Sequence, residues 1–233
     1  MNNRLAFIQI TDEIANYFNF IAQAGFKGFD CSAKSIEMID KWGKPNDAEI
    51  ETLAALRAES GNCRRCNLWQ TRQTIVFGDG NPDARLIFIG EAPGMDEDRQ
   101  GLPFVGAAGQ LLTRIIQAMA LKREDVYICN IIKCHPPQNR NPLPEEINAC
   151  SHFLKRQIKA IQPDYICTLG AFATQTILQT DRPISHLRGR FHNYEGIQVM
   201  PTFHPAYLLR NPGKKREVWE DMQQLMQVLE RKT

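Results

Sequence analysis

The sequence has no long apolar run and almost no net charge. None of its uncharged stretches approaches the length of a membrane-spanning helix, and its N-terminus does not show the basic and then apolar segments of a secretory signal. Its 28 Lys and Arg nearly balance its 26 Asp and Glu, and the formal charge of +2 is too small to indicate a nucleic-acid partner by itself. We therefore expect a cytoplasmic enzyme that has no membrane partner.

The seven cysteines do not predict a disulfide framework, because their number is odd and no secretory signal precedes them. Cys63 and Cys66 form a C-x-x-C pair, and Cys134 and Cys150 follow as single residues. Four thiolates of this kind suit a tetrahedral zinc ion or an iron–sulfur cluster. The other three cysteines have different predicted environments: Cys129 and Cys167 in buried apolar strands, and Cys31 as an isolated packed thiol.

Residues 1–50 are predicted to form a helical extension. Apolar side chains recur at helical spacing from Ile10 to Ile21, and a second short helix is predicted over 35–42. Asp47 is a good N-cap for a third helix, Ala48 to Glu59, which leads into the cysteine pair. Residues 51–233 are predicted to form one catalytic domain, and nothing in the sequence indicates what the extension binds.

Apolar strands alternate with helices from residue 85 onwards. Strands are predicted at 86–89, 126–132, 165–169 and 197–200, and helices at about 108–120, 144–160, 171–178 and 214–230. This alternation is typical of a parallel sheet that is covered on both faces. We therefore expect a three-layer α/β/α sandwich with a central, mostly parallel sheet of four strands.

Polar segments of distinctive composition follow three of the predicted strands. GEAPGMDED follows the first strand, NIIKCHPP spans the end of the second, and TFHPAYLLR follows the fourth. Ligands of an open parallel sheet bind at the carboxyl ends of its strands, so these segments predict the site. The basic segment 185–216 is either a solvated face or, if the site lies beside it, a track for phosphates.

Together these segments resemble the family 4 uracil-DNA glycosylases, the iron–sulfur branch of the uracil-DNA glycosylase superfamily. The resemblance runs from Cys63 to about Glu230 and depends on the order of its motifs: C-x-x-C, GEAPGMDED, GLPFVGAAGQLL, NIIKCHPPQNRNP, the second single cysteine and HPAYLLRNP. It implies a monomeric repair enzyme that flips deoxyuridine out of DNA and hydrolyses its N-glycosidic bond, leaving an abasic site. It also implies a [4Fe–4S] cluster on the four cysteines Cys63, Cys66, Cys134 and Cys150.

Phe104 and Asn130 are the candidates for recognising the base. Phe104 lies in a loop with glycine and proline neighbours, where the resemblance implies a stacking platform and the alternative is a core phenylalanine. Asn130 interrupts an apolar strand end, and its amide would donate to uracil O4 and accept from N3–H. The alternative for Asn130 is a turn or capping residue. Ala92 and Pro93 are expected to line the edge of the uracil with their backbone.

His204 and Glu91 are the candidates for catalysis. His204 follows the last strand, where its imidazole would stabilise the negative charge that develops on uracil O2, although a lone histidine is more often structural. Glu91 directly follows the first strand and would orient or activate water, or stabilise the oxocarbenium-like sugar. Glu97 is the second acidic candidate.

The residues after His204 are candidates for DNA contacts. Leu208 and Leu209 are expected to wedge the duplex and Arg210 to meet a phosphate, and the alternative is that at least one of the two leucines packs against the last helix. No lysine occurs where a Schiff base would be expected, so strand cleavage is not predicted. Two rival functions stay open: a broader glycosylase that also accepts hypoxanthine or xanthine, and a binding module that has lost catalysis.

Overall fold

The fold is that of a computed structural model, which describes residues 16–18, 20, 21, 23, 25, 32 and 51–230. The chain divides into two units, Met1–Glu49 and Ile50–Thr233. In the first unit residues 16–18, 20, 21 and 23 are helical. The predictions on residues 1–15, on the second helix and on Cys31 lie outside the described residues. Whether the first unit is a separate extension stays a prediction, and the architecture below belongs to the second unit.

The central sheet has six strands in the part of the chain that is described. In chain order they are β1 (Asp79–Gly80), β2 (Leu86–Gly90), β3 (Tyr127–Asn130), β4 (Tyr165–Leu169), β5 (His192–Tyr194) and β6 (Ile197–Thr202). Their spatial order is β1-β3-β2-β4-β6-β5. The four central strands run parallel, and β1 and β5 pair antiparallel at the two edges. The mostly parallel α/β sheet is therefore confirmed, but the predicted count of four strands is too low.

The two missed strands are edge segments that are too short to show an apolar alternation. β1 has two residues and β5 has three. β5 joins β6 through Glu195 and Gly196, whose φ angles of 49° and 91° are both left-handed. A two-residue turn of this kind favours a hairpin, but Asn-Gly or Asp-Gly is its usual sequence. The Glu-Gly pair is a weaker signal, and for that reason the sequence did not predict the hairpin.

Helices cover both faces of the sheet. Among the described residues they are α1 (Leu53–Ser60), α2 (Met95–Gln100), α3 (Ala107–Ala118), α4 (Pro144–Ile161), α5 (Ala171–Leu178), α6 (Ile184–Leu187), α7 (Pro205–Arg210) and α8 (Lys215–Glu230). Residues of α4 and α5 form one buried cluster with Ile87 and Ile89, and residues of α3 and α8 form another with Leu86 and Phe88. Because successive side chains of β2 point to opposite faces, one strand contributes to both cores and the predicted three layers result.

Three helices differ from their prediction. The side chain of Thr52 accepts the N–H of Ala55 at 3.2 Å, so Thr52 caps α1, which begins later than predicted. The predicted cap, Asp47, lies outside the described residues. The acidic residues after Met95 form α2 instead of a loop, although they lack any apolar periodicity. The residues after His204, for which the sequence predicted no helix, form the short helix α7, which starts with a proline at its first position, as many helices do.

Candidate active site and cysteine cavity

The carboxyl ends of β2, β3 and β6 meet at one edge of the sheet, where the following loops form a pocket. All six residues that were predicted to handle the base or its glycosidic bond line this pocket: Glu91, Ala92, Pro93, Phe104, Asn130 and His204. Arg210 lines it as well. Three segments that are far apart in the sequence thus converge where a parallel sheet is expected to bind its ligand.

Asn130 is the last residue of β3, and only 1% of its surface is exposed. Its Oδ1 atom is buried, and no donor reaches it among the residues that the structure describes. A buried acceptor without a donor costs free energy. A donor on a bound ligand would satisfy this atom. If Asn130 were a turn or capping residue, a group of the protein would already donate to it.

Phe104 has one side in the core and one side in the pocket. It is 6% exposed and belongs to the cluster that α3 and α8 form with the sheet. Its ring centroid lies 5.7 Å from that of His204, and the two ring planes are inclined by 33°. Gly90 leaves room for this arrangement, because a Cβ there would overlap both the Phe104 ring and the Oδ1 atom of Asn130.

Glu97 holds the loop that carries Phe104. Its Oε1 atom accepts the backbone N–H groups of Val105 at 2.8 Å and Gly106 at 2.9 Å, and its Oε2 atom accepts that of Gly94 at 3.1 Å. A carboxylate with three backbone donors is engaged in fixing the loop. Glu97 is therefore a poor candidate for activating water, and Glu91 is the better acidic candidate.

Glu91 directly follows β2 and is half-buried at the pocket wall. Burial raises the pKa of Glu91 above its ordinary value. A raised pKa is common for carboxyl groups that take part in proton transfer, because it brings the proton affinity closer to neutral pH.

His204 precedes α7, and its ring is fixed by that helix. Its Nδ1 atom accepts the backbone N–H of Ala206 at 3.1 Å. Burial, and secondly the charge of Arg210, lower the pKa of His204 to about 4. The imidazole is therefore neutral near pH 7, and because Nδ1 accepts a hydrogen bond, its single proton is assigned to Nε2.

Leu208 is not placed for the DNA contact that was predicted for it. It is 1% exposed and belongs to the same buried cluster as Val218 and Met222 of α8. This is the packing alternative, and it corrects the assignment of Leu208 as a wedge. Leu209, in contrast, is 43% exposed. The helical spacing of α7 turns one leucine inward and the next outward.

The basic segment 185–216 is engaged largely in contacts within the protein. Arg188 pairs with Asp221, whose carboxylate is fully buried. Lys214 pairs with Glu217 at 2.6 Å, and Arg216 pairs with an acidic residue of its own helix. Several cations of this segment are therefore paired within the protein, and the arginine at the end of α7 is the member that lines the pocket.

The four cysteines of the predicted metal site line a single cavity: Cys63, Cys66, Cys134 and Cys150. Three cations line it with them, Arg65, Arg72 and Lys133. Arg72 donates from Nη1 to the sulfur of Cys134 at 3.3 Å and from Nη2 to the carbonyl of Cys63 at 2.8 Å. Lys133 is only 2% exposed, and its Nζ atom donates to the carbonyl of Asn130 at 2.8 Å. The cavity is thus joined to the pocket through Lys133.

The donor set of this cavity suits a negatively charged metal–thiolate group. Burial raises the pKa of Cys66 and Cys134, and raises that of Cys150 to about 12, so these thiols keep their protons unless a cation replaces them. Within the described residues, no group of three or more His, Cys, Asp or Glu side chains is arranged to hold a metal ion. Cys129 and Cys167 are buried in β3 and β4, which confirms their predicted environment.

Sequence reasoning missed two arginines near the pocket. Arg140 lines the pocket and donates to both carboxylate oxygens of the buried Glu146, at 2.9 and 2.6 Å. Arg123 donates to the loop that contains Phe104. The motif NIIKCHPPQNRNP contains Arg140, so it offered a signal for that residue. Arg123 lies outside every motif, and the sequence offered no signal for it.

Comparisons with known proteins show the family of this chain. The family model of the uracil DNA glycosylase superfamily matches residues 77–223. A type-4 uracil-DNA glycosylase of Thermotoga maritima is 48% identical over 165 residues, which are 69% of this chain and 86% of that protein. A type-4 enzyme of Saccharolobus solfataricus is 42% identical over 192 residues, 78% of this chain and 89% of its own. A type-5 uracil-DNA glycosylase of Pyrobaculum aerophilum is 30% identical over 72% of this chain and 82% of its own.

The chain therefore belongs to the uracil-DNA glycosylase superfamily and, within it, to the type-4 branch. None of the helices that the structure describes has the length and apolar character needed to cross a membrane.

Proposed function

We propose that this protein is a monofunctional uracil-DNA glycosylase of base excision repair. It binds uracil-containing DNA, turns deoxyuridine out of the helix and hydrolyses its N-glycosidic bond, which releases uracil and leaves an abasic site. Its membership of the type-4 branch supports this activity. The structural observation that supports it best is the Oδ1 atom of Asn130, which is buried beside the pocket without a donor among the described residues.

Asn130 recognises the Watson–Crick edge of the base. Its Oδ1 atom accepts the N3–H of uracil and its Nδ2 atom donates to O4. Cytosine offers an acceptor at N3 and a donor at N4, so the same amide opposes both of its groups. Phe104 stacks on the face of the base, and the backbone of Ala92 and Pro93 lines its edge.

His204 and Glu91 carry out the bond cleavage. The Nε2–H of the neutral His204 donates to uracil O2, where negative charge develops as the glycosidic bond lengthens. As a carboxylate, Glu91 orients or activates the water and stabilises the positive charge on the sugar. No lysine lines the pocket in the described part of the chain, which supports simple hydrolysis over a Schiff base.

The DNA lies across the mouth of the pocket. Arg210 is the candidate for a phosphate contact because it lines the pocket. Of the two leucines, Leu209 is the one that stays a candidate for an apolar wedge, because it is exposed. The protein acts as a monomer in the cytoplasm, and residues 1–50 form an extension that excision does not need.

The cysteine cavity holds a [4Fe–4S] cluster. A zinc ion would bring all four sulfurs to about 2.3 Å from one centre, whereas each sulfur of a cluster binds a different iron and the four stand further apart. Membership of the type-4 branch supports the cluster, and so does the single C-x-x-C pair, because structural zinc sites usually offer two such pairs. When bound, the cluster cross-links the cysteine segments. Arg72 and Lys133 balance its negative charge, and Lys133 holds the carbonyl of Asn130.

An oligonucleotide with one deoxyuridine, followed by alkali cleavage, tests the activity. After treatment with the wild-type protein, alkali should cleave this oligonucleotide and leave a thymine-containing one intact. Asn130→Ala should lose uracil excision, because a bidentate base contact is worth about 1–3 kcal/mol, or about 5- to 150-fold. Asn130→Asp should also lose it but gain a faint activity on cytosine, since its second oxygen accepts from N4.

The exposed Asn148 of α4 provides a matched control, and Asn148→Ala should retain full activity. A wild-type protein that releases no uracil would overturn the proposed function. A folded Asn130→Ala variant with the wild-type rate would overturn only the role of Asn130 in base recognition.

A further inference from the structure

Phe104 adopts a backbone conformation that its side chain disfavours. Its φ angle is 53°, in the left-handed region that residues other than glycine and asparagine seldom occupy. Such a conformation persists only where the surrounding structure enforces it, and it is concentrated at functional sites. The contacts that enforce it here therefore determine where the ring of Phe104 lies in the pocket.

Arg123 makes the polar contacts that hold this backbone. Its Nη2 atom donates to the carbonyl of Pro103 at 2.8 Å, and its Nη1 atom donates to the carbonyl of Phe104 at 3.2 Å. The same Nη1 atom also donates to the hydroxyl of Thr113 in α3 at 3.2 Å. Two consecutive carbonyls are thus fixed by one rigid guanidinium, which lysine cannot reproduce.

Arg123 is partly buried, which makes these contacts strong. Burial lowers the pKa of Arg123, against the opposing charges of Asp79 and Glu97. An arginine stays charged in proteins, so its hydrogen bonds to the two carbonyls are charge-assisted and poorly screened by water. Helix α3 supports the same backbone from another side, because a Cβ on Gly109 would overlap the carbonyl group of Phe104.

The position of Arg123 in the chain links the two halves of base recognition. It begins the 3₁₀ turn Arg123–Asp125, which leads directly into β3, and β3 ends at Asn130. This segment therefore begins with the guanidinium that holds the stacking ring and ends with the amide that recognises the base.

We propose that Arg123 is a positioning residue for uracil recognition, which sets the place of the Phe104 ring relative to the Asn130 amide. The proposal rests on the proposed function, because it requires that uracil bind between these two side chains. Arg123 acts through Phe104, and it does not itself line the pocket.

Inhibition of excision by free uracil tests the proposal, since uracil occupies the pocket without the DNA contacts. Arg123→Met keeps the apolar part of the side chain and removes its donors. It should raise the inhibition constant of uracil about tenfold, the effect of losing about 1.4 kcal/mol of base stacking. Affinity for DNA without uracil and the iron content should stay unchanged. Arg114→Met, at an exposed position of α3, is the matched control and should behave as the wild type.

A double-mutant cycle separates positioning from general structural support. In a Phe104→Ala background, Arg123→Met should have little further effect on the uracil inhibition constant, because the ring that it positions is gone. Equal effects of Arg123→Met with and without the ring would overturn the proposal. If Arg123→Met does not fold, Arg123→Lys takes its place in the test. Its single ammonium reaches only one of the two carbonyls, so the inhibition constant of uracil should rise by less than in Arg123→Met. A wild-type inhibition constant in Arg123→Lys would overturn the proposal.

Failure of the proposed function has a different signature. If Phe104→Ala leaves the inhibition constant of uracil unchanged, uracil does not stack on Phe104 and the proposed pocket is wrong. If Phe104→Ala raises the constant but Arg123→Met does not, only the role of Arg123 is wrong.

Discussion

The hydroxyl of Thr202 donates a hydrogen bond of 2.6 Å to the Oδ2 atom of Asp221, and this bond ties the end of β6 to α8. Arg188 donates to the same carboxylate from Nε at 3.1 Å and from Nη2 at 2.6 Å. Asp221 is fully buried, so its negative charge depends on these partners. His204 lies two residues after Thr202, and the network therefore fixes the start of the loop that carries it.

Removing the cation from this network should destabilise the protein strongly. Arg188→Met leaves a buried carboxylate without its counter-charge, which costs about 3–5 kcal/mol in the free energy of unfolding. Burial already raises the pKa of Asp221, and loss of Arg188 raises it further. A raised pKa means that the folded state binds the proton more tightly than the unfolded state does. The destabilisation caused by Arg188→Met should therefore decrease as the pH falls. Urea unfolding at pH 8 and pH 5 measures this, and an equal loss at both values would contradict it.

The acid limb of the activity profile should belong to Glu91 and not to His204. Burial raises the pKa of Glu91 above its ordinary value, so its carboxylate takes up a proton at a higher pH than that of an exposed glutamate does. His204, with a pKa of about 4, gains its second proton only at lower pH. In Glu91→Gln, kcat/KM should fall by about 10²- to 10⁴-fold and stay level down to about pH 5. If the acid limb persists in this variant, another group causes it.

A single methyl group at Gly90 should abolish uracil recognition. Gly90 pairs with Asn130 in the parallel register of β2 and β3, and an added Cβ would overlap both the amide oxygen of Asn130 and the ring of Phe104. Gly90→Ala should therefore reduce uracil excision by at least tenfold, the value of one base contact of about 1.4 kcal/mol. Gly213→Ala is the control, because no atom lies within 4 Å of the added carbon. Equal activity of the two variants would mean that the base does not bind between these residues.

Protein purified without oxygen should be brown and should contain about four irons per chain, as a [4Fe–4S] cluster requires. Serine at any one of the four cysteines of the cavity should reduce the iron content and the thermal stability. Cys167→Ala, in the fully buried position on β4, provides the control. It should lower stability through a small cavity but retain all of its iron. Stoichiometric zinc without iron would refute the assignment.

Residues before Glu51 should be dispensable for excision on a short oligonucleotide. Every residue of the proposed pocket lies at or after Glu91. Glu51 itself belongs to the second unit, where it accepts a hydrogen bond of 2.7 Å from Nε of Arg156. A chain that begins at Asp47 keeps this pair and should show the wild-type rate, whereas a chain that begins at Thr52 loses it and should unfold at a lower temperature. An inactive, iron-loaded chain from Asp47 would show that the extension contributes to the DNA site.

The sequence predicted the elements whose apolar pattern is long, together with the residues at their ends. β4 and α5 have the predicted bounds, whereas β3 ends at Asn130, two residues before its predicted end at Ile132. Glu91 and His204 each follow a strand, and the carboxyl ends of parallel strands lie at one edge. Strand ends were therefore sufficient to predict which residues converge, even though the sequence carries no information on distances.

Burial within a short helix and contacts from outside the motifs could not be predicted. Leu208 and Leu209 are adjacent and chemically alike, and only the packing of α7 against the cluster formed by α3 and α8 decides which of them is buried. Arg123 reaches a loop about twenty positions away through side-chain nitrogens. Such a contact produces no periodic pattern in the local sequence, so only the three-dimensional structure shows it.

The pocket draws on β2, β3 and β6, while β4 lies between β2 and β6 and contributes no residue to it. Parallel neighbours of this kind are joined by long crossovers, and contacts between residues distant in sequence form slowly during folding. No fragment or partly assembled sheet can bring Glu91, Asn130 and His204 together. Recovery of uracil release during refolding should therefore lag behind the recovery of helical signal, which makes the catalytic rate a measure of the fraction of chains whose sheet is complete.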